Sequence, residues 1–107
     1  MNEKLKSEEL DHLFQAILCL NTLDECYSFF EDLCTVKEMI SIGQRLEVAW
    51  RLCHGQTYLQ ICEETGASTA TISRVNRCLR FGNDSYANIF RRMDELKENL
   101  NKKEEQE

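Results

Sequence analysis

Proline is absent from these 107 residues, and glycine occurs only four times. Proline inside a helix removes a ladder hydrogen bond and clashes with the preceding turn, so its absence lets long segments run as helix unbroken. No apolar run approaches the length needed to cross a bilayer. The opening residues, Met1 to Lys6, are polar and lack the apolar stretch of a signal peptide, so a cytoplasmic protein with no membrane attachment is expected. Histidine is scarce: His12 and His54 stand at no ligand-like spacing from the cysteines, and no CxxC pair occurs. A glycine-rich phosphate loop and a nucleophile motif are also missing. The expectation is a non-enzyme without catalytic residues, metal or cofactor.

Six cysteines are a high count for so short a chain. Most fall on apolar helical faces, where a reduced thiol serves as a small packing residue. The net charge of −6 is unevenly spread. Residues 1–38 carry nine acidic against three basic side chains, residues 39–92 carry seven basic against four acidic, and the remainder is acidic again. Residues 66–83 hold Arg74, Arg77 and Arg80 and no acid. A phosphate backbone responds to that local field within a Debye length rather than to the total.

Apolar residues recur at helical spacing in six segments, at about 8–21, 23–34, 36–54, 58–64, 69–80 and 85–100. Ser7 caps the first. Thr22 with Glu25, Thr35 with Glu38 and Thr57 with Gln60 read as capping boxes for the second, third and fourth. Ser68 opens the fifth and Gly82 stops it; Asn83 or Asp84 caps the sixth. The third segment's stripe is Met39, Ile42, Leu46, Ala49, Trp50 and Cys53, and Gly55 ends it. The predicted fold is all-α and single-domain across 1–107, with a polar tail at about 101–107 that frays.

The run from Thr57 to Phe81 reads as a helix-turn-helix. Cys62 supplies a small side chain where the two helices cross, and Gly66 supplies positive φ in the turn. Ile61, Ala67, Ile72, Val75 and Leu79 point inward. On the second helix Ala70, Ser73, Arg74 and Arg77 lie on the opposite side, with Thr69 at its start and Thr71 and Arg80 flanking. That face is slim near its N-terminus and cationic further on, which suits entry into a major groove. Thr69, Ala70 and Ser73 are the candidates for base readout. Arg74, Arg77 and Arg80 are those for phosphate, with Arg77 able to reach a base. Tyr58, Gln60, Ser68, Thr71 and Asn76 complete the expected contact set with double-stranded DNA. The acidic ends of the chain favour one alternative, a helical dimeric module that binds protein instead of DNA.

Leu33-Cys34-Thr35, Gly43-Gln44-Arg45, Gly55, Gly66-Ala67 and above all Ala70-Thr71-Ile72-Ser73-Arg74 carry a resemblance over about residues 10–95. The sequence resembles the Trp repressor superfamily, and within it the TrpR-like YerC/YecD-type branch. The resemblance implies a bacterial transcription regulator, a repressor by analogy. It also implies an intertwined homodimer whose first, second, third and sixth helices interlace, with two reading heads on a near-palindromic operator. The family's repressor holds tryptophan with two arginines that match Arg45 and Arg74. It has glycine where this chain has Val75, and serine where this chain has Cys78. A branched side chain at Val75 would fill the indole slot, so tryptophan is not expected as an effector and no other is indicated. Arg45 and Arg74 have an alternative role as ion-pair partners of Glu47, Glu63 or Glu64.

Overall fold

A computed structural model describes residues 5–106. Six helices follow one another: α1 (Glu8–Leu18), α2 (Leu23–Leu33), α3 (Val36–Cys53), α4 (Tyr58–Thr65), α5 (Thr69–Phe81) and α6 (Ser85–Gln106). No strand occurs among the described residues, and the fold is all-α as the periodicity predicts.

Local hydrogen bonds set most boundaries. Ser7 Oγ accepts the Leu10 N–H at 3.1 Å and starts α1. At the start of α3, Thr35 Oγ1 accepts the Glu38 N–H at 3.1 Å while Glu38 Oε1 accepts the Thr35 N–H at 2.9 Å. The Thr35 N–H first, and then the Thr35 hydroxyl, hold the Glu38 carboxyl below the ordinary glutamate range. The same reciprocal pair joins Thr57 and Gln60 ahead of α4.

The second predicted box forms only by half. Thr22 accepts the Glu25 N–H, but the Glu25 carboxylate reaches one residue further back and takes the Asn21 N–H at 2.9 Å. That contact fixes Asn21 outside any helix. Together with the short-range bonds from the Cys19 and Leu20 N–H groups to Ala16 and Ile17, it ends α1 at Leu18 rather than near residue 21. The polar end, expected to fray from about residue 101, continues as α6 to Gln106. Glu107 lies outside the described residues.

The contacts group the chain into two compact units, Met1–Ser41 and Ile42–Glu107. The first contains α1, α2 and the start of α3. Neither α1 nor α2 has a buried residue. Their predicted stripes are only partly covered: Leu10, Leu13, Ile17, Phe29 and Phe30 are half-buried, whereas Phe14 is 56% and Leu18 83% exposed. Phe29 and Phe30 meet edge to face, with centroids 5.6 Å apart.

The second unit holds the core: Val48 and Ala49 of α3, Ile61 of α4, Ala67 of the turn, and Ile72 and Val75 of α5. Leu52, Tyr58, Cys62, Leu79, Tyr86 and Phe90 pack around it. The face of α3 in this core is therefore Val48, Ala49 and Leu52. Of the predicted stripe, Ala49 is buried, whereas Ile42, Leu46, Trp50 and Cys53 are exposed. α3 carries two apolar phases, and helical periodicity alone does not say which of them α4 and α5 cover. Trp50 instead stacks on His54, centroids 4.0 Å apart. No helix among the described residues is long and apolar enough to cross a membrane.

Candidate nucleic-acid interface

The helix-turn-helix is built from α4, the residues Gly66-Ala67-Ser68, and α5. Gly66 takes φ +75°, the left-handed conformation that lets α4 stop and the chain reverse, and its N–H bonds the Cys62 carbonyl. Thr65 locks that turn from both sides: its hydroxyl donates to the Ile61 carbonyl at 2.6 Å and accepts the Ala67 N–H at 3.1 Å. Ala67, 4% exposed, is thereby drawn into the core beside Ile61 and Ile72. Ser68 then caps α5, its oxygen accepting the Thr71 N–H at 3.1 Å. At the other end Gly82 closes α5. A Cβ there would sit 2.3 Å from the Cys78 carbonyl oxygen, so the close approach admits no side chain.

With Ile72 and Val75 buried and Leu79 packed against the core, the wheel turns the rest of α5 outward. Thr69, Ala70, Ser73, Arg74, Arg77 and Arg80 are all exposed, and Thr71 and Asn76 are half-buried at the edges. Among the described residues no carboxylate pairs with Arg74, Arg77 or Arg80. The predicted face is thus assembled on one helix, solvent-facing and uncancelled by acid. Two expected contributors are partly committed elsewhere. Tyr58 lies half-buried against the core, and Gln60 spends its side-chain oxygen on the Thr57 N–H, leaving its amide nitrogen available.

The four residues matched to an effector pocket behave differently from one another. Val75 is 3% exposed and part of the core. Cys78, exposed, borders a cleft of about 20 Å³ with Leu79, Asp84, Ser85, Tyr86 and Ala87, room for little more than a water molecule. Arg45 is exposed and engaged in an interaction of its own. Of the acids offered as partners for Arg45 and Arg74, Glu47 and Glu64 both pair with Arg51.

Arg51 and Thr65 were not singled out from the sequence, and Gln44 was named only within the Gly43-Gln44-Arg45 resemblance. Gln44 Nε2 donates to the Thr65 carbonyl at 3.2 Å. Only the four-residue spacing of Glu47 and Arg51 was legible; the bonds across to α4 depend on the fold.

A sequence model described as Trp repressor protein matches residues 8–94. The chain belongs to the Trp repressor family. It is 58% identical over 93 residues to the uncharacterized protein YerC of Bacillus subtilis (strain 168), covering 87% of this chain and 89% of that one. The crystal structure of a TrpR-like protein from Eubacterium eligens ATCC 27750 superposes with a TM-score of 0.84 at 58% identity, over 87% of this chain and 96% of that one. A Staphylococcus aureus crystal structure gives 0.83 at 56% identity, over 86% and 92%. The Trp repressor family is one of DNA-binding regulators rather than enzymes, and its members bind DNA as dimers.

Proposed function

We propose that this chain is a sequence-specific double-stranded-DNA-binding transcription regulator, a repressor by family analogy, that acts in the cytoplasm as a homodimer. The observation that carries the proposal is the exposed, acid-free outer face of α5. Thr69, Ala70 and Ser73 are short enough to let the helix lie deep in a major groove. Arg74, Arg77 and Arg80 extend to phosphates on either side, and Arg77 also reaches toward a guanine edge. The α5 N-terminus adds the partial positive charge of its unpaired N–H groups.

The apolar stripes left exposed in one chain support dimerisation. Phe14 and Leu18 of α1, Leu23 of α2, Ile40 and Ile42 of α3 and Leu96 of α6 are each more than half exposed. So much apolar surface on so small a chain is the kind a second copy removes from water. A two-fold dimer presents two α5 helices to half-sites about one helical turn apart.

Tryptophan is not the effector in this proposal. Val75 fills with its own branched side chain the slot that the family's glycine leaves open, so the reading heads are held ready without an indole.

Selection of bound sequences from a random duplex pool tests function and symmetry together. A palindrome with half-sites about one turn apart is expected. Recovery of no enriched sequence, with binding insensitive to salt, would transfer the surface to a protein partner instead.

A further inference from the structure

Arg51 of α3 meets three side chains, and only 20% of its own is exposed. Its Nε donates to Glu47 Oε1 one turn back on the same helix at 3.1 Å. A terminal nitrogen donates to Gln56 Oε1 at 3.2 Å, in the loop just ahead of the α4 cap, and also pairs with Glu64 Oε2 in the last turn of α4. One guanidinium thus ties the loop ahead of α4 and the last turn of that eight-residue helix to α3. Gln44, two turns back on α3, adds a bond to the Thr65 carbonyl at the same far end.

We infer that Arg51 is a positioning residue for the reading head, fixing the angle of α4, and through it α5, against α3 with the chain's own carboxylate in place of a bound ligand. The inference rests on the DNA-reading role proposed for α5. Orientation passes from α4 to α5 because the two share the Ile61–Ala67–Ile72 core and the Thr65 turn lock. A rigid pair of helices follows wherever α4 is held. The planar fork of arginine is needed, since a single ammonium does not span acceptors on α3, on the loop and on α4 together. Partial burial reduces solvent and salt screening of the contact relative to an open surface pair.

The same contact neutralises Glu64, a carboxylate that precedes the acid-free face by only a turn and a loop. Two opposite outcomes for Glu64→Gln follow. If Glu64 merely repels phosphate, its removal tightens DNA binding; if it anchors Arg51, its removal loosens the head and weakens binding.

The test uses the full chain and the duplex recovered from the random pool, with affinity measured across a salt series and backbone amide exchange measured without DNA. Glu64→Gln is expected to weaken binding about tenfold, the fold-change matching loss of one charge-assisted hydrogen bond, and Arg51→Met, which gives up three contacts, at least as much. Their salt slope should stay that of the parent, because no phosphate contact is lost. Exchange should quicken in α4 and not in α3. Arg51→Lys should recover part of the affinity, and the swap Arg51→Glu with Glu64→Arg should bind better than either reversal alone. Tighter or unchanged binding by Glu64→Gln overturns the inference, as does a shallower salt slope for Arg51→Met, which would make Arg51 itself a phosphate contact. A parent chain that binds no duplex sinks the DNA-reading role instead, and unchanged α4 exchange in both variants sinks the clamp regardless of DNA. If Arg51→Met fails to fold, Glu64→Gln and Arg51→Lys carry the same comparison.

Discussion

Gln44 on α3 donates its side-chain amide to the carbonyl of Thr65, 3.2 Å away, at the last residue of α4. The bond links residues 21 positions apart and satisfies a carbonyl that the end of the helix leaves open. Replacing Gln44 with leucine keeps the size of the side chain and orphans that carbonyl. Stability is expected to fall by about 1 kcal/mol, the usual net worth of one hydrogen bond, read as a lower denaturant midpoint with an unchanged slope. An unaltered midpoint would mean that water replaces Gln44 at no cost.

Val75 lies on α5 at 3% exposure, packed among Val48, Ala49 and Ile72. Truncation to alanine removes two buried methyl groups and leaves a void, for an expected loss of about 2 kcal/mol by chemical denaturation. The parent chain is expected to show no calorimetric heat and no thermal shift with millimolar tryptophan. Micromolar binding by the parent would show that the indole finds room beside the valine.

The helices themselves were legible because each states its own start. Thr35 with Glu38 and Thr57 with Gln60 form the boxes that their spacing predicts, and Gly66 and Gly82 stop α4 and α5 as glycine should. The outer face of α5 followed from Ile72 and Val75, since two buried positions fix the rotation of a short helix. Partner choice was less legible. The spacing puts Ile42, Leu46, Ala49 and Trp50 on the α3 stripe, yet of these the core takes only Ala49, together with Val48 and Leu52. Both phases are apolar, and only tertiary contact distinguishes them. Arg51 escaped notice for a similar reason: one four-residue spacing to Glu47 is visible in sequence, whereas Gln56 and Glu64 become neighbours only once α4 folds back on α3.

The Glu38 carboxyl is held below the ordinary glutamate range by the Thr35 N–H and hydroxyl. The unfolded chain therefore takes up this proton at a higher pH than the folded chain. Above the unfolded-state value the carboxylate is ionised in both states and the cap acts in full. As pH falls through the lower folded-state value the contribution is lost. Glu38→Gln keeps an oxygen for the Thr35 N–H but does not titrate. The parent should lose more stability than this variant between neutral and acidic pH, measured by denaturant unfolding at each pH. Parallel curves for the two proteins would remove the cap from the acid response.

Arg77 stands on the open side of α5 with no carboxylate paired to it among the described residues. Truncating it to alanine takes nothing from the core, so melting and self-association should match the parent. If it grips a phosphate, the duplex affinity falls and the slope of log affinity against log salt becomes shallower by about 1. If instead it reads a guanine edge, the slope stays and discrimination at one operator position relaxes, at a cost of about 1–3 kcal/mol against the preferred base. Comparing the variant on the selected site and on a scrambled duplex separates the two, because loss of a phosphate contact weakens both duplexes equally and loss of a base contact weakens only the first. Parent-like affinity on both would move the DNA-contacting surface off the outer face of α5.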